Sequence, residues 1–232
     1  PAQAGAAQSR SATPANQING IPAAPGIAIG PVFQLKRSEI VIVEESCDDP
    51  DEELERLKAA IEKARGQLVL LRKQLLASNA HSEADIFDVH LELLDDAELL
   101  DAVLLKVQKK QSAARAWQST IETRAQGIAA LNDPLLSARA ADLHDVGYRV
   151  LRILMGADEQ SFALPDHPVI VIAQNLSPSD TASLDRSRVL GFCTAAGGPT
   201  SHAAIIARAL NLPAVVSAGE EILAVDNATQ VV

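Results

Sequence analysis

Aromatic side chains are scarce in this chain: one tryptophan, one tyrosine and four phenylalanines among 232 residues. A core with so few large rings is built from aliphatic residues, and the abundance of alanine favours helices over a β-sandwich. Cysteine is nearly absent too. Cys47 and Cys193 lie far apart with no Cys-x-x-Cys pattern, which implies neither a disulfide framework nor a zinc site. Cys193 follows an apolar run and reads as a small buried filler. Positive charge is in deficit, with 20 lysines and arginines against 30 acids and a net charge of −10. Nucleic-acid binding wants a basic face, so the charge argues against it. A partner with a basic patch is permitted, although solubility alone accounts for such a charge. No apolar run reaches membrane length, and no charged-then-apolar leader opens the sequence. The expectation is a cytoplasmic chain without membrane insertion.

The length suits one large or two modest domains. Residues 1–17, rich in Ala, Gln, Ser and Pro without periodicity, read as a flexible linker to something upstream. From Ile18 to Phe33, small and apolar residues alternate with turn formers and predict a loop and strand. Ile40-Val41-Ile42-Val43 reads as a second strand. Gly26 and Gly30 lack the GxGxxG spacing, the following helix and a Walker lysine, so a nucleotide loop is discounted. Asp49-Pro50-Asp51-Glu52 then opens a helix, with an N-cap, a proline at the first position and a capping acid. Leu54, Leu57, Ile61, Ala64, Leu68, Leu71 and Leu75 recur in steps of three and four and carry it to about residue 77.

A second helical stretch, residues 82–109, breaks near Asp95-Asp96. A third covers residues 113–131, with Trp117, Ile121 and Ile128 facing inward. Asn132-Asp133-Pro134 ends it and caps a fourth, which carries Leu136, Ala140, Leu143, Gly147, Val150 and Leu154 on one face and stops at Gly156. Short connections between amphipathic helices imply antiparallel neighbours. Beyond Pro165, apolar runs at residues 169–172, 189–192, 214–216 and 231–232 read as strands alternating with short helices, one of them opened by Ser177-Pro178-Ser179-Asp180. The fold class expected is an α/β subdomain, residues 18–45 and 158–232, interrupted by an antiparallel four-helix-type bundle, residues 46–157.

Chemistry concentrates at Gly197-Gly198-Pro199-Thr200-Ser201-His202 and the Ala/Ile run to Arg208. Glycines allow close backbone approach, and a helix start offers free N–H groups and a positive dipole end. Hydroxyls and one titratable nitrogen nucleophile stand at that end. The combination suits a phosphoryl group carried on His202, since neutral imidazole attacks without first losing a proton. A glycine turn before a helix is common, however, and a lone histidine at such a place is more often structural.

The stretch resembles the phosphohistidine signature Gly-Gly-x-Thr-Ser-His-x-x-Ile-x-Ala-Arg of phosphoenolpyruvate-utilising enzymes. Its longer context, Leu190-Gly191-Phe192 through Leu212-Pro213-Ala214-Val215-Val216, is similar to Enzyme I of the bacterial sugar phosphotransferase system. The resemblance covers residues 18–232. It implies a phosphohistidine, or swivelling, subdomain with an inserted helical subdomain that binds the phosphocarrier HPr. It further implies that His202 accepts phosphate originating from phosphoenolpyruvate, through Nε2, and passes it to a histidine of HPr. Thr181, in Leu176-Ser177-Pro178-Ser179-Asp180-Thr181, matches the family threonine that hydrogen-bonds the active histidine. Thr200 and Ser201 are the hydroxyls expected near the phosphate oxygens.

By the same resemblance Phe87, His90, Leu93, Leu94, Asp96 and Glu98 are interface candidates, and Arg139 matches a family arginine of that region. Read on its own, His90 is a bundle residue among Phe87, Leu93 and Leu94. His81 and Glu83 depart from the acidic-then-lysine pattern of some members. Arg208, six residues after His202, lies on nearly the opposite side of the helix, so its role stays open.

No arginine cluster or acidic magnesium pair for phosphoenolpyruvate is apparent, and the histidines show no metal spacing. The resemblance therefore implies a transfer half-enzyme without its own cofactor. Magnesium and the substrate site belong to a C-terminal barrel, which also makes the family's dimer, so this piece is expected to be monomeric. The sugar and nitrogen branches, and fusion into a multiphosphoryl transfer protein, stay open. A swivelling domain of a pyruvate phosphate dikinase or phosphoenolpyruvate synthase, or a non-catalytic phosphocarrier-binding domain, are the alternatives.

Overall fold

The β-branched run Val169-Ile170-Val171-Ile172 is buried throughout, as a strand covered on both faces must be. It forms β3, Val169–Ala173, at the middle of a six-stranded sheet. The computed structural model describes residues 17–36, 40–43, 46–131, 133–156 and 164–232. The stretch read as a linker, up to residue 16, lies outside them. The other strands are β1, Ile21–Ala24; β2, Gly30–Leu35; β4, Val189–Thr194; β5, Ala214–Val216; and β6, Gln230–Val231. Their order is β1-β5-β4-β3-β2-β6. The four central strands run parallel, whereas β1 pairs antiparallel with β5 and β6 with β2. Ala23, Leu35, Val169, Val171 and Ala173 pack into the main core, while Val32 and Ile172 join a smaller cluster with Ala195, Ala218 and Ile222. This alternation follows from the period of two along a strand.

β2 and β3 are parallel neighbours, with Val32 opposite Ile170 and Leu35 opposite Ala173. The crossover between them is the whole helical insert. It comprises α1, Pro50–Ala77; α2, His81–Leu94; α3, Ala97–Gln108; α4, Ala113–Ala129; and α5, Pro134–Leu154. The Asp49 carboxylate caps α1 by accepting from the N–H groups of Asp51 and Glu52. Leu57, Ile61, Ala64, Leu68, Leu71 and Leu75 are buried along the expected seam. The break at Asp95-Asp96 is complete: Asp96 caps α3 by accepting from Leu99 N–H at 3.0 Å. Helices α4 and α5 approach closely at Gly147, where an added Cβ would lie 2.6 Å from Ile121 Cγ2. The single tryptophan, Trp117, is fully buried and donates its indole N–H to Gly147 O at 3.0 Å.

The remaining elements are α6, Pro178–Ala182; α7, His202–Ala209; and a 3₁₀ turn, Glu220–Ala224. The capping box at α6 is reciprocal: Ser177 Oγ accepts from Asp180 N–H, and Asp180 accepts from Ser177 N–H. Ile40-Val41-Ile42-Val43 is not a strand. Ile40 and Ile42 pack on the core and Val41 and Val43 face solvent, so the alternation is real. Both sides of β2 are already taken by β3 and β6, so this edge offers the segment no ladder. Cys193 is half-buried against the smaller cluster, and burial pushes its thiol up to about 11.

Candidate phosphohistidine site

Ser201 stops the chain in extended conformation and accepts from Ala204 N–H at 3.3 Å, so α7 begins at His202. The imidazole is partly buried. Its Nδ1 lies 3.1 Å from Asp142 Oδ1 on α5. The same carboxylate oxygen lies 3.2 Å from His90 Nε2 on α2. His90 is fully buried and stacks edge-on against Phe87, and its other nitrogen lies 3.8 Å from Asp145 Oδ2. Asp145 in turn accepts from Ser179 N–H at 3.2 Å, near the start of α6. Two acids one helical turn apart on α5 thus hold the first residue of α7 and the start of α6. The two subdomains meet through these contacts. A cavity of about 570 Å³ opens along the same seam between α1, α5 and α6, with Asp145 and Ser179 but not His202 in its walls.

The hydrogen bond to Asp142 raises the midpoint of His202 above its ordinary value, and the nearby negative charges of Asp142 and Asp145 add to this against the opposing effect of burial. Burial works against the charge on Asp142, but hydrogen bonds from His202 and His90 outweigh it and lower the carboxyl below its ordinary value. An ionised carboxylate at Nδ1 is an acceptor, so Nδ1 carries the proton and Nε2 is the ring nitrogen with a free lone pair.

Other expected site residues fall differently. Thr181 is fully buried, and its hydroxyl donates to Ser177 O at 3.0 Å; Asp142 is the imidazole's partner instead. Thr200 is exposed beside His202, while Ser201 serves as the cap. Phe87, His90 and Leu94 are fully buried in the bundle, which corrects their reading as surface contacts. They fall on the inward stripe of α2, where apolar packing claims them. Leu93 is half-buried, and Glu98 and Arg139 are exposed. Arg124 pairs with both Asp96 and Glu98. Asp142 and Asp145 escaped sequence reasoning. Their signal was an i, i+3 acid pair bordering the stripe of Leu143, Val146 and Val150, which looks like the edge of a solvent face.

A partly exposed histidine thus stands at the head of a helix, on an α/β unit interrupted by a helical bundle. Residues 19–139 match the family model described as PEP-utilising enzyme, N-terminal, and residues 165–232 match PEP-utilising enzyme, mobile domain. The chain belongs to the PEP-utilising enzymes. It is 40% identical over 212 residues to a multiphosphoryl transfer protein of Xanthomonas campestris pv. campestris, covering 90% of this chain and 25% of that protein. It is 38% identical over 200 residues to the phosphoenolpyruvate-protein phosphotransferase of Geobacillus stearothermophilus, covering 86% of this chain and 35% of that one. The solution structure of Enzyme I (nEIt) superposes with a TM-score of 0.72 at 35% identity, covering 92% of this chain and 88% of that one. The N-terminal domain of Enzyme 1 - Nitrogen gives 0.66 at 32% identity, covering 93% of each chain. The chain thus spans about a quarter to a third of the curated relatives it matches. No helix among the described residues is long and apolar enough to cross a membrane.

Proposed function

We propose that this chain is the phosphoryl-carrying N-terminal part of a phosphoenolpyruvate-protein phosphotransferase. His202 takes a phosphoryl group through Nε2 and passes it to a histidine of HPr, or of a fused HPr-like domain. The observation that carries the reading is the contact of His202, which lies in the matched mobile-domain region, with Asp142 on α5. It engages one ring nitrogen and leaves the other free on a partly exposed imidazole. Thr200, at the surface beside it, is the hydroxyl available to phosphoryl oxygens. HPr docks on the outer face of the bundle, where Leu93, Asp96, Glu98 and Arg139 reach the surface in whole or in part. The net charge of −10 suits a basic partner. Among the described residues no group of three or more His, Cys, Asp or Glu is arranged to hold a metal ion. Magnesium, expected by resemblance together with phosphoenolpyruvate, is placed with the part of the relatives' length that this chain does not span, and the cytoplasm is the location proposed.

The test uses phospho-HPr carrying ³²P. Wild-type chain becomes labelled with acid-labile phosphate, and His202→Ala does not. An unlabelled wild type, or undiminished label on His202→Ala, refutes the proposal.

A further inference from the structure

Between β4 and α7, four successive carbonyls are each held by a different donor. Thr194 Oγ1 donates to Ala196 O at 2.7 Å, Ser217 Oγ to Gly197 O, Ser201 N–H to Gly198 O at 3.0 Å, and an Arg208 guanidinium nitrogen to Pro199 O at 2.9 Å. The same Arg208 nitrogen donates to Ala23 O on β1 at 2.6 Å. Each planar peptide sets its N–H opposite its carbonyl. The N–H groups of Gly197, Gly198 and Thr200, which have no hydrogen-bond partner among the described residues, therefore face away from these donors. Ser217 holds its bond from a left-handed conformation, φ 53°. That conformation costs a non-glycine residue about 1–2 kcal/mol. Such strain persists where surrounding contacts over-determine it, and it clusters at functional sites. Core packing does not require the arrangement, because Ser217, Thr200 and Arg208 are all exposed.

We infer that Arg208 and Ser217 are positioning residues for His202, clamping the carbonyl side of residues 196–199 so that the amide side keeps one geometry. The inference rests on the phosphoryl-transfer reading above. In that step the Nε2 lone pair forms the new P–N bond. The bond from phosphorus to the donor's ring nitrogen breaks, and its electron pair stays on the donor. Charge on the phosphoryl oxygens then meets N–H groups that need no rearrangement. Arg208 acts through Pro199 and Ala23, which ties the motif loop to the far edge of the sheet.

The test compares Arg208→Gln, Ser217→Ala and Arg208→Lys in the 232-residue chain. It follows the saturating rate of uptake from phospho-HPr, backbone ¹⁵N order parameters over residues 196–201, and melting temperature. Uptake by the folded Arg208→Gln and Ser217→Ala variants falls about 10- to 100-fold, the scale expected of an ångström of misplacement. Half-saturation by phospho-HPr stays constant, and the order parameters drop from about 0.85 towards 0.6. Arg208→Lys, which retains one donor, recovers part of the rate. A lower melting temperature with unchanged saturating rate is the mark of a merely structural role and overturns the inference. If wild-type chain takes no phosphate at all, the phosphoryl-transfer reading fails. The order parameters then decide the clamp alone, and unchanged values in both variants refute it.

Discussion

Replacing Asp142 by Asn removes one charge from the seam between the subdomains and leaves its shape nearly intact. In the wild-type chain the hydrogen bond that the His202 ring donates to Asp142 is the main cause of its raised midpoint, and burial opposes it. With the carboxylate gone, burial is left against the weaker pull of Asp145. The midpoint therefore moves down, towards the ordinary value of about 6.5. A histidine whose midpoint is raised on folding stabilises the fold fully below its unfolded midpoint, and that contribution is lost as pH rises through the raised one. Asp142 contributes in the opposite sense. Its midpoint is lowered, so its share is present above about 3.9 and lost as pH falls through the lowered value.

A hydrogen bond to a charged group contributes about 1.5–3 kcal/mol. At about 2–4 °C per kcal/mol for a chain of this size, Asp142→Asn lowers the melting temperature by roughly 3–12 °C near pH 6. The gap narrows as pH rises through the raised midpoint of wild-type His202. The assay is a pair of NMR titrations of the His202 ring, with melting curves across the same pH range. Uptake from phospho-HPr, which needs a neutral ring, should rise with pH in both proteins and do so at lower pH in the variant. A His202 midpoint that stays put or climbs in Asp142→Asn, or a stability gap that widens with pH, refutes the reasoning.

Two further expectations use simpler substitutions. Gly197 has φ 95° and an added Cβ would stand 3.2 Å from Asn175 Oδ1, whereas a Cβ on Gly198 would meet nothing within 4 Å. Gly197→Ala should therefore cost about 1–2 kcal/mol in a denaturant melt. Gly198→Ala should stay within about 0.5 kcal/mol, and slowed phosphoryl uptake by that variant would show the glycine serves approach of the partner rather than the fold. Phe87→Ala should cost about 3–5 kcal/mol because the ring is fully buried. Weakened HPr binding by calorimetry without loss of stability would restore Phe87 to the interface.

The elements easiest to read were those governed by local chemistry. The α1 seam, the acid cap at Asp49, the break at Asp95-Asp96 and the capping box at Ser177 each depend on residues within one or two turns. Ile40–Val43 shows the limit of such reading, since a strand needs a free neighbouring edge and alternation says nothing about edges. The surface exposure expected of three α2 residues failed for a related reason. Phe87, His90 and Leu94 follow one another at helical spacing, which is as much a core stripe as a contact surface. The motif singled out His202, but not the side chain that its ring meets. Asp142 lies 60 residues upstream on an inserted helix, and only the packing of bundle against sheet brings the two together.

That packing has a chemical consequence for a two-part protein. The group that sets the proton on His202 belongs to the bundle, while the loop that frames His202 belongs to the α/β unit. Asp142 and Asp145 reach across the seam to α7 and α6, whereas Arg208 and Ser217 hold the loop from within its own subdomain. If the α/β unit turns away from the bundle, His202 loses Asp142 and its midpoint falls, yet the loop stays clamped. A phosphoryl group placed on Nε2 in the packed arrangement adds negative charge to a seam that already holds two buried acids. Like charges in a low-dielectric site repel more strongly than in water. Under the transfer proposed above, the packed state suits the unphosphorylated histidine, and the charge added to Nε2 disfavours that packing.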